Sequence, residues 1–188
     1  MTTYILCGGD DRAHDNFGKN LAQEIAKTVK KPRILDVFFS GGADDDWQKR
    51  FAAWAEWYKR YFESFEQELA TYEGFYEQAK NADVIFFHGG RTSALLKNLS
   101  DFTKVEAAIQ GKVYIGSSAG VNYLAEHFLS HEGIATGSGI LPINTVVHYE
   151  SSNPSETRSV ADADNLERLF PNVPTIRIRE GEFYVMEK

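Results

Sequence analysis

Val113-Tyr114-Ile115-Gly116-Ser117-Ser118-Ala119-Gly120 is the stretch on which the fold turns. An apolar run that stops at a glycine predicts a buried strand ending in a sharp turn, and the residues behind it, Val121 to Leu129, predict a helix. Gly-x-Ser-x-Gly between a strand and a helix is the sequence form of a nucleophile elbow, whose small residues let the backbone bend and push one serine into the open. By register that serine is Ser118. The helix start also aims backbone N–H groups at whatever Ser118 attacks. A plainer role stays open for the same residues, a small-residue turn whose serine caps the helix.

Outward from the elbow, strands and helices alternate. Tyr4–Cys7, Ile34–Phe39 and Val84–Phe87 are continuous apolar runs ending in Gly8-Gly9-Asp10-Asp11, Gly41-Gly42 and His88-Gly89-Gly90. Phe17–Lys30 carries apolar residues at helical spacing and is closed by Pro32. Asp44-Asp45-Asp46 opens a helix with an aromatic face (Phe51, Trp54, Trp57, Tyr58, Tyr61, Phe62) suited to the core or to a homodimer contact. Phe65–Thr71 alternates like a half-exposed strand near a sheet edge. Helices are expected near 75–80, 93–99, 103–109 and 160–170. A Gly- and Ser-rich loop should run to Gly139, with strands at Ile143–His148 and Thr175–Met186, the latter turning at Glu180-Gly181. This order predicts one α/β domain spanning 1–188, a doubly wound, mostly parallel sheet between helices, as in a flavodoxin-like three-layer sandwich.

Composition narrows the function. A net charge of −7 leaves no basic stripe for nucleic acid. One cysteine excludes an intrachain disulfide framework and a cysteine-rich metal site. No apolar run approaches the ~20 residues of a membrane span, and Met1-Thr2-Thr3 enters a strand without a leader, so the cytoplasm is expected. No metal or cofactor is called for.

Ligands of open α/β sheets bind beyond the strands' carboxyl ends, where three glycine turns lie. Gly89 and Gly90 can approach a substrate closely and aim an N–H at an oxyanion. A serine needs a base, and the candidates are His14, His88, His127, His131 and His148. His148 ends a strand after the elbow and fits best; His131 competes, and His127 on the elbow helix is packed or solvated. For the acid that orients the imidazole, Glu132 in its loop is preferred to Glu126 on the helix, with Glu150 and Asp162 further options. A phosphate site at Gly8-Gly9 is disfavoured by Asp10 and Asp11.

These residues together resemble peptidase family S51, the group of aspartyl dipeptidase (peptidase E) and cyanophycinase, with a class I glutamine amidotransferase-like fold. The resemblance rests on His88-Gly89-Gly90-Arg91-Thr92 before Leu95-Leu96, on Gly116–Gly120, on His148-Tyr149, on Glu156-Thr157-Arg158 and on Ile176–Gly181. It implies a serine peptidase acting on small peptides, with Ser118 as nucleophile, His148 as base and Glu132 as the nearest match for the acid. It places the oxyanion hole at the N–H groups of Gly90 and Ala119. Arg158 would pair with a substrate carboxylate or sit at the surface near a helix start. Two departures bear on specificity: Arg91 replaces the family's turn asparagine, and a Gly/Ser-rich segment replaces the dipeptidase's aspartate loop. An esterase or amidase, or a binding module that kept the elbow without a working acid, remain as rivals.

Overall fold

The structure is a computed structural model and describes residues 1–188 except Asp10, Ala43 and Asp44, and except the side chains of Asp11 and Asp15. The turn expected at Asp10 and the helix start expected at Asp44 therefore fall partly outside the described residues. Strands β1 (Thr3–Cys7), β2 (Arg33–Val37), β3 (Glu66–Leu69), β4 (Val84–Phe87) and β5 (Val113–Ser117) run parallel, and β10 (Phe183–Glu187) joins antiparallel. Their order is β10-β1-β5-β4-β2-β3, with the half-exposed β3 at an edge as its alternation predicts.

Side chains alternate across this sheet and build two cores. Ile5, Cys7, Ile34, Val84, Phe86, Val113 and Ile115 face helices α1 (Asp15–Thr28) and α2 (Trp47–Tyr58). Tyr4, Leu6, Leu35, Val37, Ile85, Phe87 and Tyr114 face α3 (Phe75–Asn81), α4 (Thr92–Asn98), α5 (Phe102–Ile109) and α6 (Ala119–Leu124). The result is the expected three-layer α/β sandwich. On α2, Trp54, Trp57 and Tyr58 are spent on the core, all at or below 6% exposure.

Two expectations are corrected after the elbow. The helix predicted through Leu129 stops at Leu124, and His127–Ser130 forms a strand, β6. The Gly/Ser-rich segment expected as a loop contains β7 (Gly133–Thr136), which closes a hairpin on β6. Pairing wins over local pattern here: β6 gains neighbours on both sides, β7 and the parallel β8 (Asn144–Val146). With β9 (Thr175–Arg177) they form a second sheet, ordered β7-β6-β8-β9. Helix α7 (Val160–Leu169) packs Ala163 and Leu166 against it, behind a Ser159–Asp162 capping box.

β2 also carries a buried carboxylate, Asp36. It accepts hydrogen bonds from Tyr58 Oη (2.8 Å) and Gln67 Nε2 (2.7 Å), and lies 2.6 Å from His88 Nε2. The His88 ring is stacked between Phe38 and Phe86. Burial pulls the pKa of His88 below its ordinary 6.5, against the opposing pull of Asp36. Below pH 6.5 the unfolded chain therefore binds a proton that folded His88 refuses, and stability declines as pH falls toward the folded value. The thermal midpoint should drop between pH 7 and pH 5, and His88→Gln should flatten that slope in scanning calorimetry.

Candidate active site

β5 lies between β1 and β4, so the turns after these three parallel strands open at one rim. The elbow turn is tight because nothing larger than glycine fits. A methyl on Gly120 would sit 2.2 Å from the Phe87 carbonyl oxygen, and one on Gly116 would sit 2.8 Å from Gly120. Ser118 takes φ 48°, ψ −102°, outside the regions open to ordinary residues. It is anchored by its N–H to the Cys7 carbonyl (3.1 Å), and Tyr114 Oη holds the Gly120 carbonyl beneath it (2.7 Å).

His148 arrives from β8. It leaves the strand with φ 52° and is fixed by its N–H to the Gly8 carbonyl, 3.0 Å away. Its Nε2 is 2.9 Å from Ser118 Oγ, and its Nδ1 is 2.7 Å from Glu180 Oε1. A carboxylate can only accept, so Nδ1 carries the proton and Nε2 is left to accept from the serine hydroxyl. Burial works to raise the Glu180 pKa, but hydrogen bonds from His148 and Ser151 outweigh it and hold the carboxyl below its ordinary 4.5.

The carboxylate at His148 is thus Glu180, not Glu132. Glu132 sits exposed in the β6–β7 hairpin, its N–H turned onto Ser130 Oγ. It lines the pocket in front of Ser118 without reaching the imidazole. Glu180 lies on the short crossover from β9, in the second sheet, to β10, in the first, where Gly181 N–H bonds the Gly9 carbonyl. By sequence Gly9 belongs to one of the three glycine turns at the ligand-binding rim. In place, it is the floor under the histidine: an added Cβ would lie 2.2 Å from His148 Cε1, at a φ of +112°. The signal available for Glu180 was its position in a Glu-Gly turn inside an extended segment.

Three of the other four histidines have separate occupations, while the His14 ring packs against Gly181, beside Glu180. His127 is on a strand rather than the expected helix, and stacks on Phe170 at 3.6 Å. His131 pairs with Glu156 (3.3 Å), and His88 belongs to the Asp36 cluster.

A pocket of about 310 Å³ opens in front of Ser118 and His148, and Gly90, Arg91 and Arg158 line it. Gly89 does not. Its carbonyl is turned the other way, onto Ser40 Oγ (2.9 Å) and Arg50 Nη2 (3.0 Å). Ala119 is the first residue of α6, where the N–H has no acceptor within the helix. Arg91 is exposed at the start of α4. Arg158 is 8% exposed rather than a surface arginine, and burial lowers its pKa against the pull of Glu156 and Asp162. Its backbone N–H bonds the His148 carbonyl (3.1 Å), its Nη1 reaches the Glu156 and Thr157 carbonyls, and its Nε has no partner among the described residues.

No helix among the described residues is long and apolar enough to cross a membrane. Known structures share the fold. A peptidase from an acI-B1 Actinobacterium superposes with a TM-score of 0.63 at 21% identity, over 100% of this chain and 84% of its own. A candidate peptidase E protein from Listeria monocytogenes EGD-e gives 0.62 at 14% identity, over 100% and 99%. No curated protein sequence matches significantly. The sequence profile of peptidase family S51 matches residues 6–187, nearly the whole chain, and the protein belongs to that family.

Proposed function

We propose that this chain is a serine peptidase that cleaves small peptides with an acidic N-terminal residue. The observation that carries the reading is the continuous hydrogen-bonded chain Ser118–His148–Glu180 at the edge of a pocket. Ser118 Oγ bonds to the scissile carbonyl carbon as its proton passes to His148 Nε2, and Glu180 stabilises the imidazolium. The N–H groups of Gly90 and Ala119 hold the oxyanion, each worth roughly 10²–10³ in rate. As the intermediate collapses, the C–N bond breaks and His148 returns the proton to the leaving amine. Water then attacks the acyl carbon as His148 takes its proton, and collapse breaks the Oγ–C bond while His148 returns that proton to Ser118 Oγ, releasing the acid.

Arg158 supports the acidic preference. A buried guanidinium with an unused Nε donor suits a carboxylate, which its planar fork can grip in two places. Arg91 adds a second cation at the same pocket. Hydrolysis of Asp-Xaa and Ala-Xaa dipeptides, set beside p-nitrophenyl esters, tests the assignment. Asp-Xaa should be preferred, and Arg158→Met should lower its kcat/KM by about 10²-fold while changing Ala-Xaa little. Ester turnover without peptide turnover would sink the peptidase reading.

Gly9 offers a subtler test of geometry. Gly9→Ala drives a methyl into the His148 ring. Displacement of the base by about 1 Å costs on the order of 10²-fold in kcat. The fall should appear in kcat, with far-ultraviolet circular dichroism unchanged.

A further inference from the structure

A second cavity, of about 610 Å³, lies among residues from the loop before α1, from α2 and from the ends of β4 and β5. Gly89 and Ser117 form part of its wall, while their neighbours Gly90 and Ser118 line the pocket described above. The two cavities flank the same pair of turns and share no lining residue among those described.

Three arginines, Arg12, Arg50 and Arg60, converge on it. That concentration runs against the charge of the chain, which is −7 overall. Arg50 is held in place on three sides: Nη1 on Asp45 (2.5 Å), Nη2 on the Gly89 carbonyl (3.0 Å), and its guanidinium 4.6 Å over the Phe38 ring. These bonds leave further N–H donors of its five for a ligand. Arg12 lies 5.2 Å over Trp54, which forms a wall with Trp57. Among the described residues the one acid in the lining, Glu56, is already paired with Lys59 at 2.6 Å. Arg12 and Arg60 have no ion-pair partner among the described side chains. The buried end is uncharged or neutral: the Ser117 hydroxyl, 6% exposed, and the His88 ring, whose Nε2 is taken by Asp36.

We propose that this cavity binds a small multivalent oxyanion, a polyphosphate or polycarboxylate, gripped by Arg12, Arg50 and Arg60. Planar guanidinium forks match both head groups, and two of them are preorganised on aromatic faces. The volume is that of a small-molecule site. The site is independent of the serine chemistry, since none of the three arginines lines the pocket at Ser118.

Isothermal titration at about 0.15 M salt, with inorganic pyrophosphate and with citrate as separate probes, tests the proposal. Saturable one-to-one binding of either anion is expected, and the arm that binds tighter identifies the head group. Arg12→Ala/Arg60→Ala, both exposed positions, should weaken it by at least about tenfold and leave peptide hydrolysis intact. Ser118→Ala should bind the anion as the unaltered protein does, so loss of hydrolysis and loss of this site are read separately. Absence of saturable heat from both probes, or equal affinity in the double variant, would overturn the proposal.

Discussion

Ser118→Ala is expected to lose roughly 10⁴–10⁶-fold in kcat/KM on small peptides while folding normally. The size follows from what the hydroxyl alone supplies. Gly90, Ala119 and the pocket can still bind and polarise a carbonyl, but no atom is left to form the acyl bond. Residual turnover would be that of water attacking a bound, oriented substrate. Stability should hold or rise. The backbone at φ 48°, ψ −102° is strained with either side chain, and alanine removes a hydroxyl that is hydrogen-bonded to His148. Fluorophosphonate labelling should vanish in parallel. A variant that keeps activity within tenfold of the parent, or still takes the label, would remove Ser118 from the reaction.

Much of this architecture can be read from local chemistry. Continuous apolar runs closed by glycines mark β1, β2, β4 and β5, because strands buried on both faces have no polar alternation to keep. The elbow is legible for the same reason its glycines are needed: each sits where a single methyl would strike backbone. His148 could be placed from its position after a strand end. Elements fixed by distant pairing were harder. Phe128 and Leu129 fit a helix continuing from Val121, until β7 and β8 flank them and the second sheet forms. Glu180 illustrates the limit most sharply. It is 32 residues beyond His148, on a crossover between two sheets, and only the packing of that crossover on Gly8 and Gly9 brings it to the imidazole. Glu132 is the acid that chain order favours, because it lies between serine and histidine in sequence. Nearness along the chain counts for little when a hairpin carries the residue out into solvent.

Glu180→Gln is accordingly expected to cost about 10³–10⁴-fold in kcat, and Glu132→Gln less than about threefold. The isostere separates charge from shape. If the amide oxygen faces Nδ1, the hydrogen bond survives but the imidazolium loses its counter-charge. If the amide nitrogen faces it, Nδ1 must accept, the ring proton moves to Nε2, and His148 can no longer take the proton of Ser118. Either orientation impairs the base and leaves the pocket intact, so KM should change little. The same carboxylate leaves a mark on stability. Its folded pKa lies below the ordinary 4.5, so the pairing contributes fully above that value and is lost as pH falls through the folded one. Thermal midpoints of the parent should therefore fall more steeply than those of Glu180→Gln as pH is taken below 4.5. Kinetic loss from Glu132→Gln with none from Glu180→Gln would return the acid to the hairpin and break the assignment.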